Sequence, residues 1–108
     1  MAEVIWTEPA LADLDAIADY IALDNPRAAR DLLQRVFNHV DQLASPTLSG
    51  PKLPEFRGGR YRQIVESPCR VIYRHEKNLV HIVHIVRGER LLDKKLVSRR
   101  GGKSVPKT

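Results

Sequence analysis

The apolar residues of this chain change their spacing once, and the change falls on a stretch that can hold no regular element. Residues 45–59 contain Pro46, Gly50, Pro51, Pro54, Gly58 and Gly59. The prolines remove backbone donors and the glycines loosen the chain, so a loop is expected there. Before it, apolar residues recur every three or four positions; after it, they fall into short β-prone runs. Helical stripes in one half and strands in the other must cover each other's apolar faces. That predicts a two-layer α+β fold.

Each half can be read more finely. Glu3–Trp6 is a short β-prone run. Thr7-Glu8-Pro9 then reads as a helix start, with a capping hydroxyl, an acid for the helix dipole and a proline in the first turn. Leu11, Leu14, Ile17, Ala18 and Ile21 follow at helical spacing, with Asp13, Asp15 and Asp19 largely outside that stripe. This predicts a helix over residues 8–23. Asp24-Asn25-Pro26 ends it and starts another, because Pro26 disfavours helix at Asn25 and suits a first helical position. Ala29, Leu32, Leu33, Val36, Val40 and Leu43 carry the second stripe to about residue 44. The short joint makes an antiparallel helical hairpin.

Beyond the loop, residues 60–66, 69–75 and 79–87 read as strands, separated by Ser67-Pro68 and Glu76-Lys77-Asn78 and ended by Gly88. Two short turns make a three-stranded antiparallel meander. Val80, Ile82, Val83, Ile85 and Val86 do not alternate, which suggests a central strand covered on both faces. The expected architecture is an N-terminal strand, then an antiparallel helical hairpin packed on that meander. Residues 1–97 form the single domain, and the basic segment 98–108 reads as a disordered tail.

The chain has 108 residues, enough for one modest core. Its longest uncharged apolar run, residues 79–86, is far short of the roughly 20 residues a membrane-spanning helix needs. The first six residues have neither a basic stretch nor an apolar core of a secretory leader. Cys69 is the only cysteine, which excludes an internal disulfide and a cysteine-based zinc site. A cytoplasmic protein without metal or cofactor is expected. The net charge of +5 is unevenly spread: residues 1–51 carry a balance of −5, residues 52–86 of +4 and residues 87–108 of +6. A polyanionic partner for the C-terminal half would suit that asymmetry.

No phosphate-binding loop, nucleophile elbow or zinc-protease helix is present. Arg57-Gly58-Gly59-Arg60 and Arg100-Gly101-Gly102-Lys103 are single fragments of the RGG type, and direct nucleic-acid contact stays open. His81 and His84 are three apart on a strand, which should send them to opposite faces and so not make a metal pair. Cys69 reads as a small, half-buried thiol. Period-two alternation puts Arg60 with Arg62, and Arg70 with Arg74, each pair on one side of the pleat. Arg87 and Arg90 close the last strand nearby. Arginines on the face away from the hairpin could hold phosphates or a carboxylate-rich peptide by forked hydrogen bonds. The plain alternative is a solvated face with ion pairs between Glu66 and Arg70 or Arg74.

The segment Cys69-Arg70-Val71-Ile72-Tyr73-Arg74, a short turn and Ile82-Val83-His84-Ile85-Val86-Arg87-Gly88-Glu89-Arg90 resembles the meander of the RelE/ParE superfamily of bacterial toxins. Trp6-Thr7-Glu8-Pro9-Ala10 and Arg27-Ala28-Ala29 are similar to the same family, so the resemblance spans residues 3–90. Cys69 stands where an aromatic is common, and Arg87 where a histidine is common. The resemblance implies a toxin of a type II toxin–antitoxin module, in a hetero-oligomer with a cognate ParD-like antitoxin. It implies either a ribosome-dependent messenger-RNA endonuclease or a non-catalytic poison of DNA gyrase. A non-toxic binding module of the same fold is the remaining possibility.

RNA cleavage without metal needs a base, an acid and cations at the phosphorane. No Tyr, His or Cys follows Arg87, and arginine is a poor proton shuttle because its pKa lies above about 12. Should the chain be a nuclease, Tyr73, His84, Arg70 and Arg87 are the candidates. The favoured expectation is the ParE-like gyrase inhibitor, with no catalytic residue and with Arg60, Arg62, Arg70, Arg74, Arg87 and Arg90 as target contacts. The sequence does not point to a surface for the antitoxin.

Overall fold

The computed structural model describes residues 3–45, 61–88 and 94–102. Strand β1 (Glu3–Trp6) leads into helices α1 (Glu8–Ala22) and α2 (Pro26–Asp41), whose last turn tightens into a 3-10 turn at Gln42–Ala44. Strands β2 (Tyr61–Glu66), β3 (Cys69–Glu76) and β4 (Leu79–Arg87) follow, then helix α3 (Lys94–Gly102). The meander is as expected, and β1 joins it to give a four-stranded sheet in the order β1-β4-β3-β2. The pairing of β1 with β4 is parallel, and β4 is a central strand.

Both hairpin helices begin on the residues that the sequence marks. The Thr7 hydroxyl accepts from Ala10 N at 3.3 Å and donates to Ile82 O at 2.7 Å, so one side chain caps α1 and ties it to β4. Asn25 Oδ1 accepts from Ala28 N at 3.0 Å, and Pro26 takes the first position of α2. Such caps each contribute roughly 1 kcal/mol.

The hairpin packs on one face of the sheet. Leu14 of α1 and Leu32, Val36 and Val40 of α2 are buried against Ile64, Val71, Tyr73, Val80, Ile82 and Ile85. Full burial of one such side chain stabilises by roughly 1.5–3 kcal/mol. The Trp6 and Phe37 rings, 5.0 Å apart, add an aromatic contact at the rim of this core. A second, smaller core lies on the other face, where Val97 of α3 meets Tyr61, Ile72 and Val83.

The uneven apolar pattern of β4 has a specific cause. Ile72 pairs with His84 but Tyr73 pairs with Ile82, so Val83 is an extra residue, a β-bulge. The bulge resets the alternation. Ile82 and Ile85, three apart, therefore both face the hairpin. The same reset corrects the expectation for the histidines. His81 pairs with Arg74 and His84 with Ile72; those partners are two apart on β3, so both histidines lie on the side away from the hairpin.

A second correction concerns the C-terminal segment. The residues from Ser98 to Gly102 continue helix α3, so the first part of the expected tail is ordered. The cause is tertiary: Val97 is fully buried and Arg100 is bonded to α1 and β4. Residues 103–108 and most of the expected loop, 46–60, lie outside the described residues. No described helix is long and apolar enough to cross a membrane.

Candidate functional site

The six arginines singled out above do not share one face. Arg60 and Arg90 lie outside the described residues. Arg70 and Arg74 are on the sheet face away from the hairpin, as alternation required. Arg62 pairs with Tyr73 and Arg87 with Cys69, two residues of the hairpin-side core, so both belong to the other side. Arg87 lies over the Tyr20 ring of α1, 5.3 Å from its centre. Arg70 Nε donates to Gln63 Oε1 at 2.8 Å.

Arg74 is only 5% exposed; its Nη2 sits 3.5 Å from Glu76, and its Nε has no hydrogen-bond partner among the described residues. Burial and then the charge of Arg74 lower the pKa of His81, with Glu76 opposing. His81 is therefore neutral at physiological pH and adds no charge to this face. The expected cross-strand pairs of Glu66 with Arg70 or Arg74 do not form. Glu66 faces the hairpin and meets Arg35 Nη1 at 3.2 Å and His39 Nδ1 at 2.8 Å.

The possible proton carriers are placed differently from each other. Tyr73 is 1% exposed in the core under the hairpin. His84 is 8% exposed and lies at the edge of β4. Cys69 is fully buried, deeper than expected. Tyr73, His84, Arg70 and Arg87 do not converge on a common centre: Tyr73 and Arg87 face the hairpin, whereas Arg70 and His84 lie on the other side. Among the described residues, no group of three or more metal-binding side chains forms.

The most connected polar cluster among the described residues joins Asp13, His84 and Arg100. Strand β1 ends opposite Ile82, so beyond it β4 keeps β3 on one side and has no paired strand on the other. Side chains close that gap. Asp13 Oδ2 accepts from Ile85 N at 3.2 Å, and Arg100 Nη1 donates to Val83 O at 3.0 Å. Arg100 Nη1 and His84 Nδ1 also meet Asp13 Oδ2, at 2.7 and 2.6 Å. An ionised carboxylate only accepts, so His84 donates its Nδ1 hydrogen to Asp13. Asp13 reads as lying largely outside the apolar stripe, yet it is three residues after the buried Ala10, and that spacing brings it to the rim of the core. Arg100 carried no such signal.

Burial raises the Asp13 pKa, but hydrogen bonds from His84, Arg100 and Ile85 N and the nearby His84 charge outweigh it and leave the pKa below its usual value. A carboxylate whose folded pKa is depressed contributes stability fully above its unfolded value, about 3.8, and loses it as pH falls through the folded value. Urea denaturation of the wild type and Asp13→Asn should therefore differ by a constant amount above about pH 5. The difference should shrink as pH falls below about 4. A difference that stays constant down to pH 3 would rule out this ionisation.

The strand, helical hairpin and meander are the layout expected from the resemblance to the RelE/ParE superfamily. Residues 4–92 match the family described as "ParE toxin of type II toxin-antitoxin system, parDE". The chain belongs to the ParE toxin family. It is similar to Toxin RelE2 of Caulobacter vibrioides, 40% identical over 92 residues, which are 84% of this chain and 100% of that protein. It is also similar to a solved structure described as the chromosomal ParDE TA system from P. aeruginosa. That match has a TM-score of 0.66 and 29% identity, and covers 82% of this chain and 98% of the other.

Proposed function

We propose that this ParE-family toxin inhibits DNA gyrase by binding it, without chemistry of its own, and is neutralised by a cognate ParD-like antitoxin. The observation that carries this reading is the placement of the proton carriers. Tyr73 is sealed in the hydrophobic core, and His84 has its Nδ1 committed to Asp13. Acid–base cleavage of RNA needs such groups within hydrogen-bond reach of the substrate. Binding needs only a complementary surface, and Arg62, Arg70 and Arg87, each half-buried, offer cationic contacts. Arg60 and Arg90 are further candidates.

A second reading rests on the Asp13–His84 pair. An imidazole oriented by a carboxylate, with Arg100 beside it, is the pattern of a general base next to a phosphate-stabilising cation. It would make the chain a messenger-RNA endonuclease. One comparison separates the two. Purified toxin, titrated against gyrase in a supercoiling assay, should block supercoiling and trap linear plasmid, and a two-fold excess of antitoxin should restore activity. His84→Gln should keep that inhibition. Absence of inhibition at every stoichiometry, with messenger RNA cut on translating ribosomes, would replace the gyrase reading by the nuclease one.

A further inference from the structure

The charge asymmetry of the sequence takes a definite place in the fold. Helix α1 carries Glu8, Asp13, Asp15 and Asp19 and no basic residue, whereas α3 carries Lys94, Lys95, Arg99 and Arg100 and no acidic one. Helix α3 lies on the sheet face away from the hairpin, seated by Val97 on Tyr61, Ile72 and Val83. Val97 and Arg100, three apart, point inward, Arg100 to Asp13 and Val83 O. Lys95 and Arg99, four apart, therefore share the outer side, and both are exposed. Neither makes an ion pair among the described residues. Arg70 lies on the same sheet face, two residues from Ile72.

We propose that the outer face of α3 is a contact surface for the phosphate backbone of duplex DNA, with Lys95 and Arg99 as the contacts and the Arg100–Asp13 pair holding the helix in place. The choice of DNA rests on the gyrase reading, because a toxin bound to gyrase works beside a duplex. The surface itself also favours DNA over an acidic peptide. Peptide docking draws most of its energy from a few well-buried anchor side chains, and among the described residues the exposed large apolar side chains, Tyr20, Leu23 and Val65, belong to α1, the hairpin joint and β2 rather than to α3. Phosphate contacts need only cations in reach, and they act by releasing counterions. The inward pair of α3 is spent on Asp13 and the core, so its outward pair is the part left to meet a polyanion.

The test is the salt dependence of binding of the full-length toxin to a labelled duplex of mixed sequence, followed by fluorescence anisotropy in about 50–200 mM salt, without gyrase. Each phosphate contact contributes about 0.9 to the slope of log K against log salt. The double variant Lys95→Ala/Arg99→Ala should lower the slope by about 2 and weaken binding by roughly tenfold or more at the low-salt end. Arg27→Ala/Arg30→Ala removes the same charge from the exposed start of α2 and should leave the slope unchanged. Equal losses in both variants would mean diffuse attraction and overturn the proposal, as would no binding of the wild type at low salt. Polyglutamate that displaces the toxin as well as unlabelled duplex does would make the partner an acidic chain instead. Because gyrase is absent, failure here leaves the supercoiling result standing, and failure there leaves this one.

Discussion

Leu14→Ala will lower the stability of the toxin by about 2–5 kcal/mol. Leu14 is fully buried at the centre of α1, in the cluster that joins both hairpin helices to the sheet. Truncation removes the transfer free energy of the lost methyl groups. It also leaves a cavity between two layers, which relax only in part because each is already bonded within itself. Domains of this kind are stable by only about 5–15 kcal/mol in total, so one such change removes a large share. Urea denaturation should show a lower midpoint with an unchanged slope. The matched control is Leu23→Ala at the hairpin joint. Leu23 is 85% exposed, and its loss should cost less than about 0.5 kcal/mol. Similar effects at the two leucines would mean that the hairpin does not seat on the sheet as described.

Asp13→Ala is expected to cost about 2–3 kcal/mol, which is much for a carboxylate whose side chain is 19% exposed. The cause is the number of donors that converge on one oxygen. With Asp13 gone, Ile85 N loses its acceptor, Arg100 loses its counter-charge and the His84 Nδ1 hydrogen has no partner. Arg100→Ala should cost less, because it leaves the carboxylate with His84 and Ile85. The two substitutions together should cost less than their sum, with a coupling of about 1 kcal/mol or more. Hydrogen exchange gives an independent readout: in Asp13→Ala, the amides of α3 should lose protection while those of α2 keep it. Strict additivity with unchanged protection would show that Asp13 and Arg100 do not act as a unit.

Much of the fold was legible because the signals were local. Asn25-Pro26 states a helix start in two residues. Ser67-Pro68 and Lys77-Asn78 delimit strands whose turns are too short for any other pairing. What escaped depended on distance along the chain. The parallel pairing of β1 with β4 links Thr7 to Ile82, and the order of α3 depends on Arg100 meeting Asp13, 87 positions away. The bulge at Val83 was hidden as well, since an uneven apolar run reads equally as a strand covered on both faces. Of the site, the chemistry of the arginines was visible but their placement was not. Alternation paired Arg70 with Arg74 on one face. It could not show that Arg74 would be buried, or that Arg62 and Arg87 would turn toward the hairpin.

The position of β4 between β1 and β3 has a consequence for synthesis. The hairpin and β1 leave the ribosome well before the strand they pack on, and the sheet cannot close until Arg87 has been added. A half-made chain therefore shows bare apolar helices but not the assembled toxin. The four-stranded sheet is completed only in the last stage of translation.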